Sequence, residues 1–316
     1  MFDINKISKA LKKKVSRSEQ FKHAVSILNL SRENQRIGHT DNVMLVGNSG
    51  VGKSHLIKAY CRAHQPYDEK ERTVVPVVRV SLTGKTTHLQ CVREILEALG
   101  DEYAGKGNAR ECIKRLYKYL RNNGVQLVFI DEAHNTLNKS GHNSAVAMTL
   151  KGINNNTSAS IVLAGTEDVL DYREDQELKR RFQRVIRFTE LGYKSETEVK
   201  DFKKLLLELS KALPVENAGE LVESCWVSRI FLVTKGNPDF VYKLLIDSIR
   251  FIKTGDTRIT RKHFSSACLL NEDLAGKAHV FDYEDGQIEK LIKAFRETKE
   301  SALTQSEIID RLIGRT

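Results

Sequence analysis

Residues 47–54, Gly-Asn-Ser-Gly-Val-Gly-Lys-Ser, have the types and spacing of a loop that grips phosphate. Gly47, Gly50 and Gly52 carry no side chains, so successive backbone N–H groups can turn inward around an anion, with Asn48, Ser49 and Val51 filling the variable positions. Lys53 can reach β- and γ-phosphates as a point charge on a flexible stem, and the Ser54 hydroxyl can take one position on Mg²⁺. His55 opens a helical stretch, 55–64, whose N-terminus would aim its partial positive charge at the same phosphates. The run before the loop, Val43-Met44-Leu45-Val46, is apolar throughout, as in a strand covered on both faces. The match to G-x-x-x-x-G-K-[ST] is complete, in the strand–loop–helix order the motif requires.

A second chemical group lies at Asp131-Glu132, where the apolar run 125–130 ends. In a parallel sheet the carboxyl ends of strands face the ligand crevice, so both carboxylates would look at the nucleotide. They would divide the labour: Asp131 holds Mg²⁺, and Glu132 orients and deprotonates the attacking water. Thr166 ends the next apolar run, 161–164, and its hydroxyl can contact a γ-phosphate or the lytic water; the same residue also suits a helix N-cap before Glu167-Asp168. Arg180, Arg181 and Arg184 flank Phe182. Such a cluster fits a solvated helix end, and it also fits an arginine reaching a neighbouring subunit's γ-phosphate, a contact worth ~10³ to 10⁵ in rate, for which Arg181 in Leu-Lys-Arg-Arg-Phe is the candidate.

These groups need elements to hold them. Strands at 43–46, 74–82 (interrupted by Pro76), 125–130, 161–164 and 184–188 alternate with helices at 18–30, 55–64, 87–99, 109–122 and 144–153, and 66–71 reads as a turn. That alternation calls for an α/β fold with a mainly parallel sheet between helices. From 195 the periodicity is helical only, at 195–211, 216–233, 238–252, 260–270, 285–297 and 305–312. The expected organisation is a basic N-terminal arm and helix (1–40), a nucleotide-binding αβα core (41–190), a small all-helical lid (191–275) and a C-terminal helical tail (276–316).

Composition narrows the partners. At 316 residues, with 40% hydrophobic and 29% charged content, the chain reads as an ordinary globular protein. No apolar run approaches the ~18 residues of a membrane span and residues 1–16 lack the apolar stretch of a secretory signal, so the expectation is a cytoplasmic protein without membrane contact. The five cysteines lie far apart with no C-x-x-C pairing, which suits reduced thiols in apolar faces. A net charge of +10 and a pI near 9.3 point toward a polyanion. Residues 1–36 hold nine Lys/Arg against three Asp/Glu, as a solvated tail or a nucleic-acid arm would.

Taken together, a phosphate loop, a strand-end Asp-Glu, a strand-end Thr, an Arg before Phe and a following helical region resemble the AAA+ ATPases. Within that class the chain is similar to the TniB and TnsC transposition regulators. The likeness rests on 130–137 (Ile-Asp-Glu-Ala-His-Asn-Thr-Leu), Leu150-Lys151 with the asparagine-rich turn after it, 161–166 (Ile-Val-Leu-Ala-Gly-Thr), and Asp175-Gln176 leading to Arg180-Arg181-Phe182. Asp131-Glu132-Ala133-His134 also matches the DEAH helicase motif, but those helicases need two nucleotide-binding cores and this chain has one. The resemblance implies ATP and Mg²⁺ as cofactors and assembly of copies of the chain as a ring or helical filament on double-stranded DNA. It further implies a transposase partner and a target-selection protein or RNA-guided complex. DNA contacts are expected at Lys85 and Thr86, with Lys139 and Lys151 as further candidates. One departure stands out: where many AAA+ relatives carry a lid arginine, Gly236-Asn237-Pro238 is followed by Asp239, with Lys243 one turn on. A helicase loader or replication initiator, or a DNA-independent signalling switch, would share the core.

Overall fold

The computed structural model describes residues 2–14, 17–70, 72–82, 86–136, 145–298 and 303–314. The chain forms two compact units, Lys22–Thr189 and Met1–Phe21 with Glu190–Thr316.

Among the described residues the first unit is built on seven strands: β1 (Val43–Val46), β2 (Tyr67–Glu69), β3 (Arg72–Val74), β4 (Val77–Ser81), β5 (Leu127–Asp131), β6 (Ser160–Gly165) and β7 (Arg184–Arg187). Five form one sheet in the order β4-β5-β6-β1-β7, every pair parallel. β1, β5 and β6 are buried along their whole length, which is why their sequences are continuous apolar runs and not alternating ones. Helices Lys53–Ala63, His88–Ala98, Ala109–Asn122 and Ala145–Asn156 connect the strands, and the apolar stripes of the last three share one core with Met44, Val80, Ile130 and Leu163. β6 lies between β1 and β5, so its end emerges between the phosphate loop and Asp131.

Polar locks fix the opposite ends of the central strands. The fully buried Asn42 side chain donates from Nδ2 to Asn154 Oδ1 at 2.7 Å and accepts the Ile161 N–H at 2.8 Å. Asp41 receives Arg184 Nε at 2.8 Å and Asn34 Nδ2 at 2.9 Å. The register of β1 against β6 and β7 is thereby held by side chains that immediately precede β1.

The second unit is helical throughout its described residues. Helices Ile4–Lys13, Glu196–Ser210, Ser224–Thr234, Pro238–Arg250, Arg261–Cys268, Asp285–Glu297 and Gln305–Ile313 enclose one cluster around Phe202, Phe231, Phe264, Phe281 and Phe295. Tyr193 stacks on Phe231 with ring centroids 4.5 Å apart. Gly236, at φ 76°, lets Leu191 and residue 236 pair backbones; a Cβ there would lie 1.9 Å from the Leu191 carbonyl oxygen. Residues 276–316, expected as a separate tail, pack Ile288, Ile292, Phe295 and Ile309 into this same core.

Three local expectations are corrected. Residues 67–69 are not a turn but β2, paired antiparallel with β3, and β4 begins only after Pro76, which cannot donate to a ladder. The segment 216–233 is broken at Glu223, whose extended backbone (φ −70°, ψ 149°) separates the short helix Ala218–Val222 from the helix Ser224–Thr234. The basic N-terminus is not a solvated tail: Ile4–Lys13 is an amphipathic helix with Ile7 and Leu11 buried and Ser8 hydrogen-bonded to Tyr242 at 2.6 Å. All five cysteines are free, and burial pushes the Cys91 and Cys268 thiols up to about 12. No described helix is long and apolar enough to cross a membrane.

Replacing Asn42 with Ala strands the Ile161 N–H and the Asn154 side chain in the core. At roughly 1–3 kcal/mol for each unsatisfied group, we expect a destabilisation of about 3 kcal/mol, read as a lower urea midpoint at unchanged m-value.

Candidate nucleotide site

The loop after β1 has the backbone its glycines predict. Gly50 and Gly52 take φ of 81° and 107°, values that favour glycine, and Gly52 leads directly into the helix starting at Lys53. Gly47 is required for a different reason. A Cβ on it would sit 2.0 Å from the Phe188 carbonyl oxygen, because the chain after β7 pairs with the end of β1 through Phe188 N–H to Val46 O at 2.7 Å. Lys53 is buried and folds back onto the loop, donating to the Gly47 and Asn48 carbonyls at 2.7 and 2.8 Å. Its ammonium is therefore held at the rim of the cradle that the glycines open.

Asp131 closes the site from the other side. Its carboxylate is 1% exposed and collects three donors: Ser54 Oγ–H at 3.2 Å, the Glu132 N–H at 3.2 Å and Arg79 Nη2 at 2.9 Å. Ser54 and Asp131, 77 positions apart in sequence, thus bring two oxygen ligands together beside the phosphate loop, the donor set a hard divalent cation takes. The residues fit a Mg²⁺-nucleotide: backbone N–H groups and Lys53 for the phosphates, Ser54 and Asp131 for the cation.

Glu132 departs from its neighbour. It adopts φ 58°, a left-handed conformation that a non-glycine residue takes only at a cost of about 1–3 kcal/mol. Its carboxylate is 42% exposed while that of Asp131 is buried, so one dipeptide presents one inward and one outward acid. Its Oε2 lies 3.5 Å from His134 Nε2. Thr166 heads the short helix Glu167–Glu174, but its hydroxyl donates to the Asp168 carboxylate at 2.8 Å and not to a backbone N–H; its own N–H donates to His134 Nδ1 at 3.4 Å.

The remaining candidates are placed as follows. Arg181 donates to Glu177 at 2.8 Å and to Asn155 at 2.6 Å, while Arg180 beside it is exposed and Arg184 is taken by Asp41. Lys151 is no free cation, since Asp175 lies at 2.5 Å and Glu177 at 3.4 Å and their hydrogen bonds raise its pKa. Thr86 directly precedes the N-cap of helix His88–Ala98, whereas Lys85 and Lys139 lie outside the described residues. In the second unit Lys243 is paired with Asp239 at 2.7 Å. Sequence reasoning missed Arg79, whose signal was a lone charge inside the apolar strand Val-Val-Arg-Val-Ser, and the contacts of His134.

A five-stranded parallel sheet in this order, with a phosphate loop after β1, paired carboxylates at the end of β5, a polar residue directly after β6 and helices following, defines the AAA+ ATPase fold. The family described as "Bacterial TniB protein" matches residues 6–189. The chain belongs to this TniB family, whose members are TnsC-like AAA+ transposition proteins. No curated protein sequence matches it. Among solved structures it is similar to the Aeropyrum pernix ORC2 protein in ADPNP–ADP complexes (TM-score 0.60, 14% identity, 93% of this chain and 85% of that one). It is also similar to the Aeropyrum pernix ORC1 protein in complex with DNA (0.53, 15%, 94% and 81%). A third similar structure is a Walker-type ATPase of Pyrococcus abyssi (0.51, 16%, 88% and 75%).

The Gly47 contact makes a specific demand. Gly47→Ala should weaken binding of a fluorescent ATP analogue by roughly tenfold or more, because the loop must shift to clear Phe188. Gly105→Ala, with nothing within 4 Å of the added carbon, should leave that affinity unchanged.

Proposed function

We propose that this protein is an ATP-dependent, DNA-binding transposition regulator. It assembles as a ring or helical filament on double-stranded target DNA, links a target-selection protein or RNA-guided complex to the transposase, and disassembles when ATP is hydrolysed. The observation that carries this reading is that a chain of the TniB family keeps an intact nucleotide centre, with Ser54 Oγ 3.2 Å from Asp131.

The residues divide the chemistry. Gly47, Asn48, Ser49, Gly50, Val51 and Gly52 bind the phosphates with backbone N–H groups, Lys53 adds charge at the start of the helix behind them, and His55 lies in the first turn of that helix. Bound ATP with Mg²⁺, held through Ser54 and Asp131, supplies the electrophilic phosphorus and neutralises its oxygens. Glu132, on the exposed side of the pair, orients water and takes its proton, and Thr166 contacts the γ-phosphate or that water. Arg181 completes the site of the neighbouring protomer. To do so it leaves Glu177 and Asn155, whereas Arg180 beside it is exposed. That difference favours testing both arginines by mixing each Ala variant with Glu132→Gln protomers.

A net charge of +10 supports phosphate contacts that tolerate any sequence. Lys6, Lys9, Lys12 and Lys13 project from the outer face of helix Ile4–Lys13 and join Lys85, Thr86 and Lys139 as the contacts proposed. Lys151 ranks behind them because it is already neutralised by two carboxylates. The fold likeness to ORC proteins keeps a replication initiator or helicase loader as the second reading.

We expect Lys53→Ala to abolish ATP-dependent DNA binding and Glu132→Gln to trap ATP-bound oligomers on duplex DNA, seen as threaded rings or filaments by negative stain. Affinity should fall by roughly 10³–10⁵ between 50 and 200 mM salt if six to ten phosphates are contacted. Salt-insensitive or ATP-independent monomeric binding sinks the proposal, and co-purification with a replicative helicase in place of a transposase selects the second reading.

A further inference from the structure

We infer that His134 is a positioning residue for Glu132, coupling the water-activating carboxylate to the end of β6. The inference rests on the reading of Glu132 as the group that takes the proton from water.

The imidazole spans two functional groups. On one side its Nδ1 accepts the Thr166 N–H at 3.4 Å. A nitrogen that accepts an N–H carries no proton, so the neutral ring must carry its proton on Nε2. On the other side that Nε2 faces Glu132 Oε2 at 3.5 Å. The tautomer set by Thr166 therefore turns an N–H donor toward the carboxylate. A separation of 3.5 Å is long for a hydrogen bond, as such contacts often are without substrate, and it shortens when the carboxylate turns toward the ring.

The ring sits close against the strand end. A Cβ on Gly165 would come within 2.7 Å of His134 Nδ1 and 2.5 Å of a Val169 methyl, so the imidazole lies flush against the end of β6 only because residue 165 is glycine. Behind it, the Ala133 carbonyl accepts Tyr172 O–H at 3.5 Å, which ties the short helix carrying His134 to the one that follows Thr166. Glu132 gains direction from this partner that its own backbone does not provide: at φ 58° its side chain leaves the strand end, and it is only partly buried. A carboxylate with several open rotamers is a poor general base until something selects one. Because the selecting ring is bonded to the residue that directly follows β6, any shift of Thr166 toward a γ-phosphate is transmitted to Glu132 through a single side chain.

The two ring nitrogens can be separated by substitution. His134→Asn keeps an acceptor where Nδ1 stands but is too short to reach Glu132, whereas His134→Gln carries an amide N–H out to the Nε2 position. With the full chain and duplex DNA, ATP hydrolysis is measured for His134→Asn, His134→Gln and Glu132→Gln, together with the affinity for a fluorescent ATP analogue. We expect His134→Asn to lower kcat about tenfold, a part of the 10²–10⁴ that general-base catalysis supplies, with KM and analogue affinity within roughly twofold of wild type. His134→Gln should recover most of that loss. Full kcat in His134→Asn, a matching rise in KM, or a Gln variant no better than Asn overturns the inference while an inactive Glu132→Gln leaves the reading of Glu132 standing. A fully active Glu132→Gln overturns both.

Discussion

The structure turns on a carboxylate that water cannot reach. Asp131 ends the buried strand β5 with 1% of its surface exposed, and an ionised group in that position is tolerated only when its lone pairs are satisfied. Its donors come from three places: the strand beside it through Arg79, the helix after the phosphate loop through Ser54, and its own chain through the Glu132 N–H. Removing one partner of a buried pair commonly costs about 3–5 kcal/mol, so the sheet, the loop and the helix are each held to the others by the need to satisfy this acid. The same need makes the site: oxygen ligands that meet to stabilise the fold are the ones a divalent cation would find.

From that centre the division of roles between adjacent residues follows. Asp131 faces inward in regular strand geometry. Glu132 is thrown outward by a left-handed backbone that ends the strand and begins the short helix Ala133–Thr136. The strain is sustained because the Glu132 N–H is engaged with Asp131 and its carbonyl accepts the Asn135 N–H at 3.0 Å. Two carboxylates one bond apart in sequence are thereby given unlike surroundings, one dry and paired, one wet and able to meet water. Such contrast is what lets a pair of acids take different parts in one reaction.

The helical unit obeys a different rule. Its core packs aliphatic side chains around several aromatic rings, and its margins are tied by polar contacts that gather distant segments of chain. Arg229, fully buried, donates to the Cys225 and Tyr283 carbonyls and meets Asp285 at 2.7 Å, fastening the start of helix Asp285–Glu297. Gln305 donates to the Leu191 and Lys235 carbonyls at 3.2 and 2.8 Å, beside the close backbone approach at Gly236. Ser8 and Tyr242 do the same for the N-terminal helix. Both ends of the chain thus belong to one unit, because a 10-residue helix with only Ile7 and Leu11 to bury gains little until it finds a larger apolar surface.

Much of this was legible in residue order. The phosphate loop is local: its glycines, Lys53 and Ser54 act through the backbone they occupy, so composition and spacing were enough to read it. The buried strands announced themselves as apolar runs, and helix Asp285–Glu297 begins and ends where its periodicity says. What stayed hidden depends on contacts between distant positions. The hairpin at 67–74 is exposed and carries no apolar alternation to mark it. Arg79 is an ordinary arginine until parallel pairing sets β4 beside β5, and His134 is one of nine histidines until Gly165 leaves it space between Thr166 and Glu132. Sequence alone determined what chemistry the chain holds, since side-chain types and backbone freedom are written there. Tertiary structure alone decided which groups hold which, because donors and acceptors act only over about 3 Å and the fold chooses who stands that near.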